Sequence, residues 1–449
     1  MKKTLVSLAA VAALTTGAMA ADKGIDIVTT GQAVVYYETH ADDGDTDTQL
    51  FDKDSSAANV GVQLNLGADL GNNFTFGSQI TYLGTAGLEG NLVSGTRQNI
   101  GAAVGSNSIT DDIMLSKIFI SKKIGNTTVK IGRQELPKSL SPFAFSEGWN
   151  VFKNTFDAIL AVNTDIPDTT VVGAYVSAGN SSLGNIDAYE NISDTTGTTT
   201  NGGAYMATVQ NKSIPMTTIT ATYYDIAKVV ENGSALNATP PVIATSNVGA
   251  NVIWGDVAVA GKDLPMGLKI GVQGGQLSAG DLDVTVAGVA GKYKIADTTA
   301  YGVKVGLAPI KALSFCLAYT SVSGDDKKDI NIAMKNTTGV KTPLYTQMIL
   351  NQNAIALDAD TFMVKGVYNT GDYGKIIAQY AGTTAGKVNL MGADKDYAEF
   401  DLIYKVKAAG VNYLVAYMNR TIDKGGNMGL TTANAEKDDR VRIVARYKF

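Results

Sequence analysis

Along most of the chain, hydrophobic and polar residues alternate one by one. At the C-terminal end Val441, Ile443, Ala445, Tyr447 and Phe449 share one parity, while Arg440, Arg442, Arg446 and Lys448 share the other. Side chains of a strand point to alternate faces, so this segment has an apolar face and a basic face; a helix would mix the two sets. Upstream, Phe400, Leu402, Tyr404 and Val406 form an apolar row with Glu399, Asp401 and Lys405 opposite. After a short turn at Lys407 to Gly410, the chain returns through Val411, Tyr413, Val415 and Tyr417. Phe362, Val364 and Tyr368 alternate with Met363, Lys365 and Val367, and Ile376, Ala378 and Tyr380 follow a turn at Asn369 to Gly374. Tyr301, Val303, Val305 and Leu307 precede a turn at Ala308-Pro309, and Leu313, Phe315, Leu317 and Tyr319 follow it.

The same division continues upstream, in segments of about nine to twelve residues, the length of a tilted membrane-crossing strand. Short turns fall near Gly71-Asn72, Gly125-Asn126, Asp165 to Asp168, Asn211 to Pro215 and Gly261 to Pro265. Longer stretches separate them, at 39–57, 84–111, 135–152, 178–202, 225–245, 276–296, 320–359, 382–396 and 420–438. Short connections at one end and long ones at the other predict an all-β, antiparallel up-and-down transmembrane barrel, with turns in the periplasm and loops outside. Nine hairpins give 18 strands, with 16 as the alternative count.

The polar face decides between a membrane barrel and a soluble sheet. It carries Lys269, Lys304, Lys365, Lys375, Lys405, Arg442 and Arg446. Charges so spaced cannot fill a dry core without a large desolvation cost, but they can line water. Tyrosines at strand ends, among them Tyr36, Tyr37, Tyr82, Tyr175, Tyr223, Tyr319, Tyr380 and Tyr447, suit interfacial girdles. Beyond the N-terminal residues no run of eighteen apolar residues offers a helical span.

Single His40 and Cys316 exclude most catalytic dyads, and no Walker loop or zinc spacing appears, so no enzyme, cofactor or nucleic-acid partner is expected. His40 falls in the first loop. The acidic stretches Asp42-Asp43-Gly44-Asp45 and Asp325-Asp326 read as solvated loops; calcium there has no defined ligand spacing behind it.

Both ends carry export signals. Lys2 and Lys3, an apolar core from Thr4 to Leu14 and Ala18-Met19-Ala20 read as a cleaved signal peptide over residues 1–20, leaving 21–449 as the barrel. Without Lys2 and Lys3 the chain has 35 basic and 42 acidic residues, a net charge of about −7. The terminal Phe449 is similar to the signal by which bacterial outer-membrane proteins are handed to the barrel-assembly machinery.

With these features, and with Lys130-Ile131-Gly132-Arg133-Gln134-Glu135-Leu136 ending a strand ahead of the third long loop, the chain resembles the major outer membrane porins of Campylobacter and related bacteria. More loosely it resembles the OprD-type channels. The resemblance implies an 18-stranded barrel in the outer membrane among lipid and lipopolysaccharide, often trimeric, with the third loop folded into the lumen.

That loop, 135–152, carries prolines and aromatics that suit an ordered fold. Glu135, Lys138 and Glu147 are its candidate constriction charges. Lys365, Lys375, Lys405, Arg442 and Arg446, with Glu399 and Asp401, are the candidate lumen wall, since opposed charges filter ions by sign. Alternation puts Arg133 on the face of Val129 and Ile131, at the rim. A diffusion porin for ions and small hydrophilic solutes is the leading reading. A specific channel for small organic anions or other nutrients is the second, and a barrel adhesin the third.

Overall fold

The computed structural model describes residues 26–44, 48–101, 111–191, 202–230, 235–236, 242–286, 288–426 and 435–449. The expected signal peptide lies outside the described residues, as does Asp45. Eighteen strands form one closed sheet. In chain order they are β1 (Ile27–Asp42), β2 (Ser56–Gly71), β3 (Phe74–Gly84), β4 (Asp112–Ile124), β5 (Thr127–Gln134) and β6 (Phe156–Asn163). There follow β7 (Thr169–Asn180), β8 (Ala204–Asn211), β9 (Thr217–Val230), β10 (Val248–Ala260), β11 (Lys269–Ala279) and β12 (Thr298–Ile310). The last six are β13 (Leu313–Val322), β14 (Ala359–Asn369), β15 (Lys375–Ala385), β16 (Asp396–Ala408), β17 (Val411–Ile422) and β18 (Lys437–Lys448). Each pairs antiparallel with its sequence neighbours, and β18 pairs with β1 to close the ring. The count is 18 rather than 16.

The eight turns at one end are tight. Asn72 and Asn73 both sit at positive φ (52° and 64°), the arrangement of a type I′ hairpin turn that asparagine tolerates. The other end carries nine long connections: loop 1 (43–55), loop 2 (85–111), loop 3 (135–155), loop 4 (181–203), loop 5 (231–247), loop 6 (280–297), loop 7 (323–358), loop 8 (386–395) and loop 9 (423–436). Segments of loops 5 and 6 form a small four-stranded sheet outside the barrel.

Three local expectations are corrected. Ala308 and Pro309 belong to β12, and the turn comes after Ile310; the register shifts between Leu307 and Ile310, where proline has no N–H for the ladder. His40 lies within β1, not in loop 1. Tyr36 is no girdle residue: it faces inward, fully buried, and donates to Glu38 Oε2 at 2.7 Å. Adjacent Tyr36 and Tyr37 offered two parities, and the inward one belongs to Tyr36.

The outward face is apolar, as alternation requires: Phe362, Phe400, Leu402, Tyr404, Val415 and Ile443 are all exposed. The inward face is divided. From β6 round to β13 it contributes Ala158, Val172, Met206, Tyr224, Val252, Trp254, Leu277 and Val322 to a single buried apolar cluster. That cluster also holds Leu136, Phe143 and Ala144 of loop 3 and Met334, Leu344 and Ile355 of loop 7. Two loops are therefore folded into the barrel and packed against this face; Val151 and Phe152 of loop 3 also reach β1 to β3, and Met348 and Ile349 of loop 7 reach β14 to β16. The arc from β14 through β18 to β3 carries most of the inward charges.

Candidate functional site: a passage narrowed by two loops

Loop 3 enters the lumen because its apolar residues find partners there. The Phe143 ring stands edge-on to Tyr224 and Trp254, with centroids 5.8 and 5.4 Å apart. Its amide donates to Tyr224 Oη at 3.2 Å. Further along, Phe152 lies over Gly61 of β2; a Cβ on Gly61 would come within 2.5 Å of its ring, so only glycine lets the loop lie this close to the wall. Gln98 of loop 2 ties Phe152 at both its N–H and its carbonyl, at 2.8 and 2.9 Å.

The loop-3 residues singled out from sequence have three different fates. Glu135 sits in the lumen between Lys117 (2.6 Å) and Lys153 (2.7 Å). Burial alone would raise its carboxyl pKa, but the two ammonium groups outweigh burial and hold it below the usual range. Lys138 donates to the Thr342 carbonyl of loop 7 at 2.9 Å, so it joins the loops. Glu147 is corrected from a pore charge to a buried hub, only 2% exposed. Its carboxylate accepts from Trp149 Nε1 (2.8 Å), Ser182 Oγ (2.8 Å), Asn336 Nδ2 (2.9 Å), Val340 N (2.9 Å) and Lys341 N (2.8 Å). One carboxylate thus joins loops 3, 4 and 7. Gly339 is required beside it, since a Cβ there would lie 2.0 Å from Glu147 Oε1.

Loop 7, read from sequence only as a long surface loop, is the second narrowing element. Leu350 N donates to Glu399 Oε1 at 2.8 Å, Thr346 shares a hydroxyl contact with Thr320 at 2.6 Å, and Tyr345 Oη bonds Asp256. Its signal was present: Met334, Leu344, Met348 and Ile355 are too many apolar side chains for a solvated loop.

The wall residues all face inward, but they do different work. Arg442 is buried and paired with Glu38, as is Arg440 at 3.5 Å; Arg97 of loop 2 stands 3.6 Å from the same carboxylate. Arg420 and Arg440 share Asp438. Glu399 and Asp401 are fully buried beneath loop 7, and Asp401 accepts from Gln379 Nε2 at 2.7 Å. Among the described residues Arg446 has only neutral partners: Gln32 Oε1 at 2.7 Å, Val151 O at 2.8 Å and Asn150 O at 3.4 Å. Lys375 lies directly across from Lys405 in the ladder, and Lys365 faces the same lumen from β14. None of these three lysines has a carboxylate within 4.0 Å among the described residues. Arg133 is outward-facing, bonded twice to Asp157 at 2.8 and 3.0 Å with Tyr189 against its guanidinium.

Two chambers flank the loops. One, of about 1010 Å³, opens on the short-turn side and is lined by Lys375, Lys405, Arg442, Arg446, Lys448 and Trp149. The other, of about 660 Å³, is lined by Phe143, Ile226, Val252, Leu277 and Lys335 among others. They share no lining residue.

This architecture matches solved outer-membrane structures. Pseudomonas aeruginosa OpdK, determined with vanillate, superimposes with a TM-score of 0.67 at 13% identity, covering 95% of this chain and 100% of that one. OccK9 (OpdG) and OccK8 (OprE) of the same organism give TM-scores of 0.67 and 0.64, each at 12% identity, covering 94% of this chain and 98% of theirs. At that identity the likeness establishes the fold alone: a closed antiparallel β-barrel. No protein-family model and no curated protein matches the sequence.

Proposed function

We propose that this protein is an outer-membrane channel through which ions and small hydrophilic solutes diffuse, with a preference for anions. The carrying observation is the short-turn chamber, where Lys375, Lys405, Arg446 and Lys448 face water with Asp372 as the acidic residue of the lining. Local charge at a passage governs selectivity more than distant net charge, because screening limits the reach of a charge to about 8–10 Å. The acidic loops therefore do not set the sign.

The mixed chamber on the long-loop side, where Phe143, Ile226, Val252 and Leu277 line one cavity with Lys228, Lys335 and Glu190, favours a second, narrower reading, a channel specific for small organic anions, whose carbon body the apolar part of that lining would suit. Vanillate, bound in the OpdK structure, is a molecule of this kind. The resemblance to the Campylobacter major porins around Lys130 to Leu136 supports the same setting: export by a cleaved signal peptide, insertion through the C-terminal strand ending in Phe449, lipid and lipopolysaccharide around the barrel, and a homotrimer. A role of the long loops in adhesion is compatible with this one and independent of it.

The test is single-channel recording of the refolded chain in a planar bilayer under a salt gradient. Stepwise openings with a reversal potential of the anion-selective sign are expected. A folded barrel without openings would remove the channel reading; openings with the opposite sign would remove the anion preference alone.

A further inference from the structure

Trp149 stands where the charged wall, loop 2 and loop 7 meet. Three basic side chains from three separate elements surround its ring, two of them guanidinium cations. Lys341 Nζ is 4.4 Å from the centroid, and the Arg442 and Arg97 guanidinium carbons are at 5.3 and 5.6 Å. Its Nε1–H is held by Glu147 and its carbonyl by Arg442 Nη1 at 3.2 Å. The next two carbonyls, Asn150 and Val151, are held by Arg446. Cation–ring attraction is strongest for an indole and grows on desolvation. Yet Trp149 also lines the short-turn chamber, as do its neighbours Gly148 and Asn150.

Arg446 makes this arrangement sensitive to solutes. It lines both the large chamber and an adjoining cavity of about 470 Å³, and every partner it has among the described residues is a neutral oxygen. A carboxylate accepts from a guanidinium in fork geometry and binds it about twice as strongly as a neutral acceptor does. An anion arriving at Arg446 therefore outcompetes the Asn150 and Val151 carbonyls and removes two of the holds on the segment that carries the indole, leaving those of Glu147 and Arg442. From this geometry we infer that Trp149 is the gate of the channel, clamped by cations at rest and loosened when a solute carboxylate takes Arg446.

This inference deepens the anion-channel reading and rests on it. The sequence holds two tryptophans, Trp149 and Trp254. In a Trp254→Phe background, Trp149 alone reports. Sodium acetate, titrated at constant ionic strength against sodium chloride, should shift its emission saturably, and Arg446→Gln should abolish the shift. In bilayers Trp149→Ala should raise single-channel conductance by about twofold or more, since lumen width sets flux. Heat-modifiable electrophoretic mobility establishes that each variant has folded. Unchanged conductance in a folded Trp149→Ala, or an acetate response that survives Arg446→Gln, would overturn the gate. A parent that makes no openings, or is cation-selective, would instead overturn the reading beneath it. Should Trp149→Ala not fold, the fluorescence comparison decides by itself.

Discussion

Glu38 on β1 accepts a hydrogen bond from Arg442 Nε on β18 at 2.7 Å, and the two residues are direct ladder partners across the seam that closes the barrel. Both are nearly solvent-free, at 5% and 3% exposure. Removing one partner of such a buried pair leaves the other charge uncompensated, at a cost of about 3–5 kcal/mol. Glu38→Gln should therefore lower the urea midpoint of unfolding markedly. The double variant Glu38→Gln with Arg442→Met should recover part of the loss. Additive losses would mean that the pair does not act as a unit.

Glu147 joins three loops through five donors. Each buried donor left without its acceptor costs about 1–3 kcal/mol, so Glu147→Ala should unlatch loop 7 from loop 3 while the strands stay paired. Limited proteolysis should then cut within 323–358 in the variant and spare the parent, and single-channel records should become noisier. Equal protection of both proteins would show that the apolar contacts hold the loops without it.

Lys341 of loop 7 is buried, and burial, only partly offset by Glu399 and Glu147, pulls its pKa down to about 7. An unfolded lysine keeps its proton to about pH 10.4. Between these values the unfolded chain binds more protons than the folded one, so this residue makes stability rise with pH across that window. The thermal midpoint of the parent relative to Lys341→Met should increase from pH 7 to pH 10. A difference that is flat in pH would show that Lys341 is charged and well solvated.

Cys316 is the one cysteine in the sequence. It lies on the inward parity of β13 and opposite Lys365 in the ladder. A negatively charged thiosulfonate reagent should label it, and the added sulfonate beside the lysines should reduce anion current. Cys316→Ser should be indifferent to the reagent. Labelling without any change in current would place the thiol away from the conducting path.

The strands and turns were legible because a period of two is a local signal, and because charges on the second face leave a wetted interior as the physical solution. The lysines at 365, 375 and 405 could be placed inward for the same reason. Glu147 could not be read as a hub: its partner Val340 is 193 residues away, and no local pattern encodes such a contact. Trp149, Arg97 and Lys341 escaped notice likewise, since their meeting depends on where three loops land. Pro309 misled for the opposite reason, a local turn signal overridden by the ladder on either side of it.

The main buried apolar cluster draws mostly on β6 to β13, with Tyr397 and Ile422 joining it from β16 and β17, whereas the lysines without a carboxylate partner among the described residues stand on β14 to β16. The space left in the barrel is therefore uneven from end to end, with Phe143, Ile226, Val252 and Leu277 in the wall of one chamber and Lys375, Lys405 and Lys448 in the wall of the other. A molecule travelling through it meets hydrocarbon in one and ammonium groups in the other, and it is turned to suit as it moves. A corridor that holds its cargo in one orientation treats left- and right-handed forms of a chiral acid as different objects, and their transit times should differ even though no energy is spent on either.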